Sequence, residues 1–170
     1  MIIFRTNIIK QKHIILMIYG MILLIVSYMP ALAQENPPKP IIVVSTAQNL
    51  SFGTIIQGGV YGTVTVYPQG APTKSGSVFW LNNLNITPAK FRVESIPGTL
   101  ITIEIVSAGP LACTGGSMQL NIDASHFQSP FITTGVETFV TIGGTLIVGS
   151  LLANPPGAYS GTITVRFIQQ

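Results

Sequence analysis

From residue 41 onward, apolar and polar positions alternate with a period of two. Lys90-Phe-Arg-Val-Glu-Ser95 sends Phe91 and Val93 one way and Lys90, Arg92 and Glu94 the other. Ile101, Ile103 and Ile105 oppose Thr102 and Glu104, and Met118, Leu120 and Ile122 share a face of the next run. Val64 and Val66 oppose Tyr61, Thr63, Thr65 and Tyr67, and the last run sets Ile163, Val165 and Phe167 against Thr162, Thr164 and Arg166. This period predicts strands with one buried face. Shorter β-branched runs add Ile41-Ile-Val-Val44, Leu50-Ser-Phe52 and Thr54-Ile-Ile56. Ser77-Val-Phe-Trp-Leu81 is apolar throughout its centre and predicts a strand buried on both faces.

Turn residues separate these runs every ~8–12 positions, and no 3.6-residue period appears. Pro97-Gly98 predicts a turn. Gly143-Gly144, between Glu137–Ile142 and Thr145–Val148, predicts a two-residue hairpin, because glycine accepts the positive φ of primed turns. The Gly pairs at 58–59 and 115–116 read as further corners. The expected fold is an all-β antiparallel sandwich, immunoglobulin-like or pilin-like, of about eight to ten strands over residues 41–170.

The amino-terminal pattern differs. Arg5, Lys10 and Lys12 precede thirteen uncharged residues, Ile14–Val26. Ala31-Leu-Ala33 then fits the small-x-small rule of signal peptidase, placing the cut before Gln34 and making residues 1–33 a signal peptide. The run is shorter than the ~20 residues that span a bilayer, and no second long apolar run follows, so no membrane span is expected in the mature chain. Residues 34–40 hold three prolines and predict an extended tether.

Charge changes the picture once it is divided along the chain. The net +3 comes from the first twelve residues; the remaining five bases balance five acids. Charged residues make up 8 % of the chain, and no basic face remains to neutralise phosphates, so nucleic-acid binding is not expected. Cys113 is the sole cysteine, so no internal disulfide can form. The scattered acids, one cysteine and one histidine of the mature chain do not make a metal set, and no cofactor motif appears.

Candidate chemistry is sparse. Asp123-Ala-Ser-His126 gathers three side-chain types of a catalytic triad, but triad members meet from distant positions and no nucleophile elbow accompanies them. The segment reads as a turn in which Asp123 and Ser125 bond local backbone. No catalytic residue is assigned. Tyr61 and Tyr67 are candidates for stacking on a glycan, while Trp80 reads as core. Ile41, Ile42, Val43 and Val44 form either the domain's own first strand or a strand donated to a neighbouring subunit.

Leu50-Ser-Phe-Gly-Thr-Ile-Ile56, then a glycine-rich stretch and Gly62-Thr-Val-Thr-Val66, resembles the opening of the domain-of-unknown-function family 4402. Gly144-Thr-Leu-Ile-Val-Gly149 and Pro156-Gly-Ala-Tyr-Ser-Gly-Thr-Ile-Thr-Val165 are similar to its close. The resemblance covers nearly all of 45–170 and implies an exported bacterial β-sandwich without an assigned activity. More widely, the ending is similar to fimbrial and spore-coat U type pilin-like proteins. Gly157 stands fourteenth from the end, as a glycine does in chaperone–usher pilins, and Ile163, Val165 and Phe167 lie in the alternating last strand; the resemblance makes these four further candidates for strand exchange. Gln169 replaces the penultimate tyrosine of those pilins, and their disulfide pair is missing.

The expected function is a non-catalytic structural or surface-assembly protein, secreted, periplasmic or at the cell surface. Its expected partners are copies of itself or sibling subunits, joined by strand pairing. The alternative is a monomeric secreted module that binds glycan or protein.

Overall fold

The computed structural model describes residues 41–170, with backbone alone at 82–84. The expected signal peptide, its cleavage at Ala31, Ala33 and Gln34, and the tether lie outside the described residues. The rest is strand and turn, with one single-turn 3-10 helix at Ala124–His126.

Eleven strands follow in order: β1 (Val43–Gln48), β2 (Ser51–Val66), β3 (Thr73–Thr87), β4 (Ala89–Glu94), β5 (Leu100–Ala108), β6 (Leu111–Cys113), β7 (Gly116–Asn121), β8 (Phe131–Ile132), β9 (Glu137–Ile142), β10 (Gly144–Val148) and β11 (Ile163–Gln169). They form three sheets, ordered β1-β4-β9, β3-β2-β10-β7-β6 and β11-β5-β8, and every strand pair is antiparallel.

The alternating faces pack as the sequence predicts. Val64, Val66, Met118, Leu120, Leu146 and Val148 are buried on the inner face of the five-stranded sheet. Val93, Ile101, Ile103, Val140 and Ile142 are buried between the two three-stranded sheets, where Val165 and Phe167 of β11 also pack. Phe91 and Phe167 meet there with ring centroids 5.5 Å apart. Leu50 and Ile122 pack against both cores and join them. The turn at Pro97-Gly98 is present, with Gly98 at φ +86°, where a side chain would strain the backbone.

Three expectations are corrected. Gly143-Gly144 is not a hairpin. β9 pairs with β4 while β10 pairs with β2 and β7, so Glu137–Val148 runs on through Gly143 from one sheet into another. Glycine is required there for space: a Cβ on Gly143 would stand 2.0 Å from the Val66 carbonyl oxygen. Gly58-Gly59 is likewise no corner; it lies inside β2, in an irregular stretch where the pairing with β3 skips from Gln57 to Gly62. The third correction concerns the apolar run at 77–81, which is buried on one face only. Val78 is buried with Trp80 packed on the same core, but Phe79 and Leu81 alternate onto the opposite face, which no described layer covers, and are 54 % and 66 % exposed.

Candidate strand-docking groove

β2 is hydrogen-bonded unequally on its two sides. β3 accompanies it from Ser51 to Thr65. β10 covers the other side only from Gly62 to Val66, because β10 ends at Val148 and the chain turns into the loop 149–159. Beside the uncovered part of β2, a groove of about 570 Å³ opens onto the first core. Met118, Leu146 and Val148 line it below, residues 50–57 form one wall, and Pro155–Tyr159 form another. A second cleft of about 420 Å³ continues from it past Leu50, Phe52, Leu111 and Tyr159, which line both. It runs to Gln48 of β1, Phe91 of β4 and Ile163 of β11.

The loop wall is held by the buried Asn154 and the half-buried Tyr159. Asn154 donates from Nδ2 to the carbonyls of Ser117 (2.6 Å) and Ala153 (3.0 Å), and its Oδ1 accepts from the Gly149 N–H. The Tyr159 hydroxyl donates to the Pro155 carbonyl at 2.7 Å. Burial, then hydrogen bonding to the Cys113 thiol and its charge, pushes the Tyr159 phenol up to about 12. Gly157 faces the same thiol, and a Cβ there would stand 3.3 Å from Cys113 Sγ.

Among the described residues, none that lines either cleft is charged. The described charges are engaged elsewhere. Arg166 meets Glu104 across β11 and β5 at 3.0 Å. Arg92 pairs with Glu94 and Glu137, and the hydrogen bond it donates to Glu137 chiefly raises its pKa. Lys74 lies over the Phe79 and Trp80 rings, and Lys90 over Phe139.

The predicted strand-exchange residues sit around these clefts unequally. Val43 and Val44 pair with Glu94 and Val93 of their own chain, and Ile41, Val43 and Val44 stay exposed. Gly157 and Ile163 line the clefts, whereas Val165 and Phe167 pack into the second core. Ile42 also packs against that core. The groove's own floor and the uncovered edge of β2 escaped sequence reasoning, since edge pairing is set by distant parts of the chain.

The two candidate stacking tyrosines do not converge. Six positions separate Tyr61 in β2 from Tyr67 just past its end, roughly 20 Å at ~3.3 Å per extended residue, too far for one sugar ring. Tyr61 is exposed, while Tyr67 lines a different cleft with Phe127 and Phe139.

Asp123–His126 forms the expected local turn, and more. Ser125 donates from both its hydroxyl and its backbone N–H to Asp123 Oδ1. Those bonds hold the Asp123 carboxyl below the usual carboxylate range, against some desolvation and with help from His126. His126 itself is buried. Its Nδ1 lies 2.9 Å from Asp123 Oδ1 and 3.1 Å from the Asp123 backbone N–H, and its Nε2 lies 3.0 Å from Thr145 Oγ1. Ser125 Oγ is 3.5 Å from Nδ1, the nitrogen already engaged with Asp123, so these atoms brace the turn against β10. Among the described residues no three His, Cys, Asp or Glu side chains gather to hold a metal, and no helix is long and apolar enough to cross a membrane.

A family model described as a domain of unknown function, DUF4402, matches residues 42–168. No curated protein and no solved structure matches the chain. With 127 of its 170 residues matched (42 to 168 inclusive), the chain belongs to the DUF4402 family.

Proposed function

We propose that this protein is an exported, non-catalytic surface-assembly protein, a pilin-like subunit or accessory of an extracellular fibre or coat, which joins copies of itself or sibling subunits by strand pairing. One observation carries the reading: an uncharged groove reaches the core beside a stretch of β2 that no strand accompanies on that side. An apolar cleft next to unpaired backbone suits an added strand, whose main chain supplies hydrogen bonds and whose alternate side chains fill the cleft. Low surface charge also favours association over repulsion. The amino-terminal pattern supports export.

Sedimentation velocity of the secreted protein over a concentration series tests this. The expected result is concentration-dependent association. A strict monomer up to about 1 mM, the affinity scale of the weakest specific contacts, would overturn self-assembly.

A further inference from the structure

We propose that the groove beside Ser51–Gln57 receives residues Ile41–Val44 of a second copy, so that copies join head to tail. This rests on the assembly reading above and names its contact.

The acceptor is the open side of β2. From Ser51 to Gln57 this strand pairs with β3 on one side and with no described strand on the other, and the same residues line the groove. The backbone of an arriving strand can pair with that free edge while its alternate side chains enter the groove.

The occupant follows from chemistry and position. Ile41-Ile-Val-Val44 is uncharged, as the groove is, and β-branched, as a strand prefers. Ile41 is 86 % exposed and Val43 54 %. Docking gives up the end pairs Val43–Glu94 and Val44–Val93 and the packing of Ile42 on the second core, while Ser45, Thr46 and Gln48 keep their pairs with Arg92, Phe91 and Lys90. The donor comes from another molecule. Within its own chain Val43 and Val44 start β1 against Glu94 and Val93, and the groove begins at Leu50, past the far end of β1. Donor and acceptor therefore occupy opposite ends of β1. Such a contact joins unlike surfaces and leaves a free donor at one end and a free groove at the other, so it propagates.

The test uses the full secreted chain carrying Cys113→Ser. Variants Val43→Cys and Ile56→Cys are oxidised separately and mixed. Docking raises their effective concentration, so the mixture is expected to cross-link about tenfold faster than either variant alone. In parallel, Ile41→Asp, at an exposed position that leaves the melting temperature unmoved, is expected to weaken association by about tenfold or more, since it would bury a charge. Association that persists in Ile41→Asp, or a mixture that cross-links no faster than its parts, overturns this contact while leaving self-assembly standing. If the unaltered protein is monomeric, both are overturned.

Discussion

Gly143 lies against Val66 so closely that a Cβ would fall 2.0 Å from the Val66 carbonyl oxygen. Here β9 leaves the β1-β4-β9 sheet and continues as β10 between β2 and β7. The Gly143 N–H is fixed by the His126 carbonyl at 2.7 Å, so the backbone has little freedom to retreat. Gly143→Ala is therefore expected to destabilise the domain by about 1–3 kcal/mol, the usual cost of overpacking. Urea unfolding measures it, and a midpoint unchanged from the parent protein would show that the crossing can relax.

Asn154 holds the loop wall of the groove through three hydrogen bonds to backbone. Asn154→Ala leaves the Gly149 N–H and the Ser117 carbonyl without that partner. The expected loss is about 1–3 kcal/mol, as for buried polar groups stripped of a bond. Amide hydrogen exchange should quicken at Gly149 while β4 and β9 keep their protection.

The Asp123 carboxyl has a lowered pKa in the folded chain, chiefly through Ser125. Its contribution is present above the unfolded value of about 3.9 and is lost as pH falls through the folded value. As pH falls below about 4, the unfolded value, Asp123→Asn should flatten part of the acid loss of stability. Identical pH profiles for parent and variant would remove this residue from the acid response.

Tyr159 has the opposite sense. Its phenol is raised from 10.0 to about 12, so its contribution is complete below pH 10 and is lost as pH rises through 12. Tyr159→Phe should show a weaker stability decline over that alkaline range. The measurement is thermal unfolding at stepped alkaline pH, with Cys113→Ser included because the thiol shares in the shift.

Because no charge lines the clefts, association through them should hardly respond to salt. Raising ionic strength from about 0.05 to 1 M shortens the screening length from more than 10 Å to about 3 Å. An association constant that collapses over that range would point to a charged surface elsewhere.

Alternation made much of this fold legible. Ile101 and Ile103, and Met118 and Leu120, are buried where the two-residue period places them. Glycine was ambiguous: Gly143-Gly144 has the composition of a tight turn, yet the chain needs Gly143 for a close crossing. Phe79 and Leu81 misled for a related reason, since a run of apolar residues does not reveal that one face of its sheet is left uncovered. The turn at Asp123–Ser125 is local and readable; the reach of His126 to Thr145, nineteen positions on, is not.

The run from Glu137 to Val148 belongs to both cores: Val140 and Ile142 lie in one, and Leu146 and Val148 in the other. Neither layer can melt while its neighbour stays ordered without breaking this shared segment. The domain therefore unravels as a unit, and Trp80 fluorescence and far-ultraviolet dichroism should trace one superimposable transition.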